Sequence, residues 1–142
     1  MERAKKHSTK LSIILLDIDD FKKANDTKGH LYGDAVIKEL SKIIKNNIHA
    51  NDYAGRYGGD EFLILLPATD VTGGENLYDR LSSSLQHNEF FHDKKVTISA
   101  GITIYNNESI DDVIRIADSR LYAAKRSGKA NYISCRSIVE NA

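Results

Sequence analysis

The apolar positions of this chain fall into two rhythms. Residues 11–19, "LSIILLDID", are apolar and β-branched at nearly every position. Both faces of that segment need cover, so it reads as a central strand. It ends in three acids, Asp17, Asp19 and Asp20. From 34 to 47, "DAVIKELSKIIKNN", the apolar residues Val36, Ile37, Leu40, Ile43 and Ile44 recur at helical spacing. "DYAGRY" (52–57) and "EFLILLPA" (61–68) are strand-like runs joined at Gly58 and Gly59. The link is short enough for a hairpin, and consecutive glycines suit the positive φ of its turn. Thr72 and Glu75 form a T-x-x-E capping box ahead of Leu77, Tyr78, Leu81 and Leu85. "KKVTISAGITIY" (94–105) is a long strand in which Gly101 marks a bulge or a shift of alternation. Ser109 and Asp112 open a last helix with Ile110, Val113, Ile114, Ala117, Leu121 and Ala124 on one face, and Gly128 stops it. "NYISC" (131–135) is a closing strand.

The order is β-α-β-β-α-β-α-β, an α/β (α+β) domain. Its β-α-β-β-α-β part is the split, ferredoxin-like arrangement, followed by a further helix and strand. That topology puts the central hairpin inside the sheet, near the end of the first strand. Asp17 and the pair Asp60-Glu61 then meet in space.

Length and charge narrow the function classes. The 142 residues suit one domain. Lys+Arg and Asp+Glu number 20 each, so no global field draws nucleic acid or a membrane surface, and phosphate binding must be local. One cysteine, Cys135, cannot form an internal disulfide, which fits a reducing compartment. No apolar run approaches the roughly 18–20 residues that span a bilayer. "MERAKKHSTK" lacks the apolar core of a secretory signal. A cytoplasmic location without direct membrane contact is expected.

The acids suggest chemistry. Carboxylates of Asp17, Asp60 and Glu61 within a few ångströms of one another cannot all ionise cheaply, and a divalent cation removes that cost. Oxygen-only ligands favour Mg²⁺ or Mn²⁺ over zinc. Gly58 and Gly59, with no side chains, let a nucleotide approach the backbone N–H groups. The plain alternative is an ordinary hairpin with solvated acids. "DIDDFKKANDTKGHLYGD" (17–34) adds Lys22 within reach of a phosphate, and a polar turn, "NDTKGH". Asn25 and Asp34 flank that turn; an amide and a carboxylate can read a guanine edge. Their plain roles are turn-former and helix N-cap. Lys125, Arg126 and Lys129 either complement the dipole of the last helix or neutralise a triphosphate.

These segments together carry a resemblance. "GGDEF" (58–62), "DIDDFKKAND" (17–26), "GHLYGD" (29–34) and "ADSRLYAAKRSGKAN" (117–131) stand in the order found in the GGDEF domain, the diguanylate cyclase family of bacterial signalling. The resemblance runs from about Leu11 to Asn131. It implies a fold shared with nucleotide cyclases and polymerase palms. It implies condensation of two GTP into cyclic di-GMP with release of two pyrophosphates. It also implies two Mg²⁺ or Mn²⁺ ions per active site. Asp17, the carbonyl of Ile18, and Asp60 would hold the metals, with Glu61 in support. Asp60 would accept the proton of the attacking hydroxyl, and Lys22 would stabilise charge on the transferring phosphate. Asn25 and Asp34 would read guanine, with His30 at the substrate. Lys125 and Lys129 would contact phosphates, and Gly58 and Gly59 would leave room for the nucleotide. Since one domain holds one GTP, a second GGDEF domain must face the first with twofold symmetry.

Two departures shape the expectations. The family's product-inhibition site, Arg-x-x-Asp, is here His49-Ala50-Asn51-Asp52. An imidazole lacks the guanidinium fork, so feedback should be weak or absent. The family's opening segment, Asp-x-Leu-Thr-Gly-Leu-x-Asn-Arg, is missing. This suggests an excised fragment with a sensor or regulatory domain ahead of it. The expected division is 1–10 as the end of a preceding helix or a linker, 11–135 as the GGDEF domain, and 136–142 as a tail. Lys129 replaces the commoner arginine. Two other readings stand beside the cyclase: a catalytically silent GTP-binding or interaction module, and an enzyme making a mixed GMP–AMP dinucleotide. The surviving acids disfavour the first and Asp34 the second.

Overall fold

The computed structural model describes residues 10–137. The segment expected to end a preceding helix or linker, and most of the expected tail, lie outside the described residues. Five strands form one mixed sheet in the order β2-β3-β1-β4-β5. β1 (Leu11–Ile18) lies at the centre, antiparallel to both β3 (Glu61–Pro67) and β4 (Ile98–Ile104). β2 (Tyr53–Arg56) pairs antiparallel with β3 at one edge, and β5 (Tyr132–Ile133) pairs parallel with β4 at the other. The first four strands have the ferredoxin-like order. Only β3 of the hairpin is internal, since β2 takes the edge.

All eight residues of β1 are buried, as a strand with two apolar faces requires. Ile14, Leu16 and Ile18 pack with Val36, Leu40, Ile44, Leu77 and Leu81. Those partners come from α2 (His30–Asn47) and α3 (Val71–His87). Leu11, Ile13 and Leu15 face the other way, onto Val113, Ala117 and Leu121 of α4 (Ile110–Arg126). The sheet is therefore sandwiched, and the last polar residues of β1 project beyond two apolar layers.

Several local expectations are corrected. The "NDTKGH" turn is largely helix: α1 covers Phe21–Lys28 and α2 begins at His30. Asp34 lies inside α2, whose N-cap is Gly29 (φ 92°), so Asp34 caps nothing. The T-x-x-E box is not used, because Asp70 caps α3 by accepting from the Gly73 N–H. Glu75 is instead buried against Ser134 and Arg136, with its Oε2 2.6 Å from Ser134 Oγ. Gly101 makes no bulge, since β4 pairs with β1 in unbroken register from Ile98 to Ile104. It is glycine because α4 lies directly on it: a Cβ there would sit 2.0 Å from the Ala117 carbonyl oxygen. Ile110 is exposed instead of joining the buried face of α4. Ser109 does cap α4, accepting from the Asp112 N–H at 3.1 Å.

Candidate active site

Asp17 stands opposite Glu61 in the β1–β3 register. Residues paired in this way share a face of the sheet. The Ile18 N–H donates to the Asp60 carbonyl at 3.3 Å, which ties the end of β1 to the hairpin. The two acid clusters therefore do meet. One oxygen of Asp17, Oδ2, accepts from Lys125 Nζ at 2.5 Å. The other, Oδ1, is buried with no hydrogen-bond donor. Burial pushes the Asp17 carboxyl up to about 7, and the Asp60 carboxyl beside it adds to the shift against the pull of Lys125. Glu61 is also raised, by burial first and then by the charges of Asp118 and Asp60. Burial works against the charge on Lys125, but Asp17, Asp19 and Asp60 hold its pKa above the ordinary lysine value.

A cleft of about 560 Å³ opens beside these acids. Its lining carries three acids, Asp20, Asp26 and Asp60, and four lysines: Lys22 and Lys23 from α1, Lys125 from α4, and Lys129 from the turn that follows. Lys129 Nζ lies 2.5 Å from Asp20 Oδ1, and this hydrogen bond lowers the Asp20 pKa. The cleft thus sets four lysines among carboxylates, with Lys125 held on Asp17 and Lys129 on Asp20.

Gly58 and Gly59 do not serve the turn in the expected way. Among the described residues the glycines with positive φ are Gly29 and Gly128. A Cβ at Gly59 would meet nothing within 4 Å, and one at Gly58 would meet Glu61 Oε1 at 3.1 Å. The missing side chain of Gly59 leaves open space over the hairpin, while Gly58 gives room to the Glu61 carboxylate. The turn is held from outside, by Arg56 Nη2 donating to the Gly59 carbonyl at 2.6 Å.

Asn25, His30 and Asp34 gather on the packed pair α1 and α2, and Asp26, next to Asn25, lines the cleft with Lys22, Lys23 and Thr27 of the same helix. Asn25 Nδ2 and His30 Nδ1 are 3.2 Å apart. Asn25 Oδ1 is buried without a donor. Gly33 makes room for that amide, because a Cβ at Gly33 would lie 2.3 Å from Asn25 Oδ1. Asp34 is exposed one helical turn after His30. His49 and Asp52 lie on the connection from α2 to β2, where Asp52 Oδ2 accepts from the His49 N–H at 2.8 Å. That carboxylate shapes the turn.

The donors at the strand end suit a hard divalent cation. They are oxygens only, one of them is buried and orphaned, and two carboxylates are pressed together. Among the described residues, no three His, Cys, Asp or Glu side chains converge into a metal site by themselves. Such a cation must therefore draw further oxygens from the backbone, water or substrate. The sequence reading missed three residues. Lys23 adds a fourth lysine to the cleft, Arg56 braces the hairpin, and Asp19 anchors the turn after α4. Lys23 could have been found from its neighbour Lys22, and Asp19 stands among the acids that end the first strand, although its partners are distant; Arg56 carried no local signal.

Known proteins resemble this chain over most of its length. The family model described as "Diguanylate cyclase, GGDEF domain" matches residues 1–131. Diguanylate cyclase A of Treponema denticola is 40% identical over 124 residues, which are 84% of this chain and 33% of that protein. Diguanylate cyclase DgcP of Pseudomonas aeruginosa is 41% identical over 124 residues, 84% of this chain and 18% of that one. The chain thus spans a third or less of the curated relatives' length. Among solved structures, the active GGEEF domain of a Vibrio cholerae diguanylate cyclase superposes with a TM-score of 0.86. It is 34% identical, with 94% of this chain and 87% of that one covered. The GGDEF domain of DgcB from Caulobacter crescentus, solved with c-di-GMP, gives a TM-score of 0.87 at 29% identity, covering 96% and 84%. With a family match over residues 1–131 and relatives 40% and 41% identical over 84% of its length, this chain belongs to the GGDEF domain family of diguanylate cyclases.

Proposed function

We propose that this chain condenses two GTP molecules into cyclic di-GMP, releasing two pyrophosphates. Each 3′-hydroxyl attacks the α-phosphate of the other nucleotide. One observation carries the reading: a buried, orphaned oxygen of Asp17 sits beside Asp60 at the mouth of a lysine-lined cleft. That is an acid centre joined to a cleft whose four lysines can meet phosphates. The curated relatives and the solved domain named for cyclase activity support it.

Asp17, the carbonyl of Ile18, and Asp60 would hold Mg²⁺ or Mn²⁺, two ions per site, with Glu61 in support. When bound, the ions supply a lowered pKa for the attacking hydroxyl and stabilise charge at phosphorus. Asp60 takes the hydroxyl's proton. Lys22 faces the transferring phosphate. Lys125 and Lys129, now on Asp17 and Asp20, turn to the phosphates as these compete for the two amines. The Asp34 carboxylate accepts from guanine N1–H and N2–H₂, and the free Oδ1 of Asn25 adds an acceptor. His30 holds the Asn25 amide in place. Gly59 leaves the approach to the hairpin open.

One domain presents one such site, so catalysis takes two domains facing each other with twofold symmetry. The larger relatives suggest a protein with a sensor or regulatory domain ahead of this one, acting in the cytoplasm. Among the described residues no helix is long and apolar enough to cross a membrane. With His49 in place of arginine, and Asp52 engaged in the turn, product feedback is weak. The test is incubation of the chain, held as a dimer by a fused coiled coil, with GTP and Mg²⁺, followed by separation of products. Cyclic di-GMP that vanishes in Asp60→Ala is expected. GTP bound but never converted would instead mark a silent binding module, and a mixed dinucleotide on adding ATP would revise the substrate.

A further inference from the structure

Asp19 is the strand-end acid with no part in the proposed reaction, and it is the most fully bonded of them. It is 8% exposed. Its Oδ1 accepts from Ser99 Oγ at 2.6 Å. Its Oδ2 accepts from Thr97 Oγ1 at 2.8 Å and from the backbone N–H of Ala130 at 3.0 Å. Ser99 Oγ takes a second share of that same N–H at 3.1 Å.

The anchored backbone is strained. Lys129 and Ala130 have φ of 63° and 52°, a left-handed conformation that is unfavourable for a non-glycine residue because its Cβ crowds the backbone. Two such residues in succession persist only when their surroundings hold them. The anchor falls on the second of them. The side chain of the first, Lys129, lines the cleft and reaches Asp20. The end of β1 and the residues just past it are thus laced to the end of α4 and the segment that follows: Asp17 to Lys125, Asp19 to the backbone of Ala130, and Asp20 to Lys129. A carboxylate suits the middle position because a charged acceptor makes stronger bonds and can serve three donors at once.

We infer that Asp19 is a positioning residue for phosphate recognition. Through the Ala130 N–H it fixes the strained 129–130 backbone and so places the Lys129 amine in the cleft, while Thr97 and Ser99 orient its carboxylate. Without the anchor the left-handed pair relaxes and the lysine no longer meets its ligand in a set place. This rests on the reading above, in that the phosphates of GTP are what Lys129 meets.

The test is calorimetric binding of a non-hydrolysable GTP analogue with Mg²⁺ to four chains: wild type, Asp19→Asn, Lys129→Ala and the double variant. Each single change is expected to weaken binding about tenfold. The double variant should bind no worse than Lys129→Ala alone. A double variant weakened about a hundredfold, as for independent sites, would overturn the inference. So would an Asp19→Asn chain that binds like wild type. Thr97→Val keeps the shape and removes one donor to Asp19. It should show the same non-additivity at smaller amplitude, and it decides the matter should Asp19→Asn not fold. A wild-type chain that fails to bind the analogue sinks the function reading, and this inference with it. Binding without the coupling sinks this inference alone.

Discussion

A single carboxylate carries most of the electrostatic cost of this site. Asp17 is raised from 3.8 to about 7, so its folded form favours the proton more than its unfolded form does. For a raised acid, the stability contribution is complete below the unfolded pKa and is lost as pH climbs through the folded value. In chelator, Asp17→Asn should therefore melt higher than wild type above pH 7, and the difference should close as pH falls toward 3.8. Added Mg²⁺ should raise the melting temperature of wild type and leave Asp17→Asn nearly unmoved; thermal melts across pH check both. Gly33 makes a second residue-scale prediction. Gly33→Ala drives a methyl into Asn25 Oδ1, yet alanine is the better helix former by about 1 kcal/mol. Stability should change little while binding of a guanine nucleotide falls by about tenfold, roughly the worth of one good polar contact. Urea melts beside binding titrations would separate the two effects. The acids at 17 and 60 were legible in the sequence because each ends or interrupts an apolar run. The work of Asp19 was not, because its partners lie 80 and 111 positions away and only the fold brings them together.

Elements were legible where periodicity was strong and missed where it was weak. β1, the hairpin, α3 and α4 follow apolar patterns that no other geometry buries as well. α1 buries no residue fully, so its last four positions, 25–28, read as part of a polar turn and its first four showed no element. Its end is fixed by Gly29, at φ 92°, whose N–H donates to the Asn25 carbonyl. The capping box failed for a different reason. Thr72 and Glu75 match the pattern, but Asp70 holds the cap and Glu75 is drawn inward by Ser134 and Arg136. Gly101 shows how a correct flag can carry a wrong cause. A glycine in a strand suggests a bulge, whereas here a neighbouring helix needs the space. In Gly101→Ala the new Cβ would stand 2.0 Å from one backbone atom of α4 and 2.5 Å from another. Neither can move without shifting the helix that carries Lys125. A loss of about 3 kcal/mol or more is expected in a urea melt, at the upper end of overpacking costs.

Across the whole molecule, sheet order decides which acids meet. β1 lies between β3 and β4, so its end touches both the hairpin and, through Lys125, the end of α4. The element order already implied this, and the family match covers the same span. What no element shows is the second half of the reaction. The site offers one cluster of acids and one lysine-lined cleft, enough for one nucleotide, while the proposed product joins two. The initial rate of cyclic di-GMP formation from GTP and Mg²⁺, measured against chain concentration, tests this most directly. The rate should rise with the square of concentration when the chain is dilute, and become linear once two copies are joined through a linker. Absence of cyclic di-GMP at every concentration, joined or free, would contradict the account.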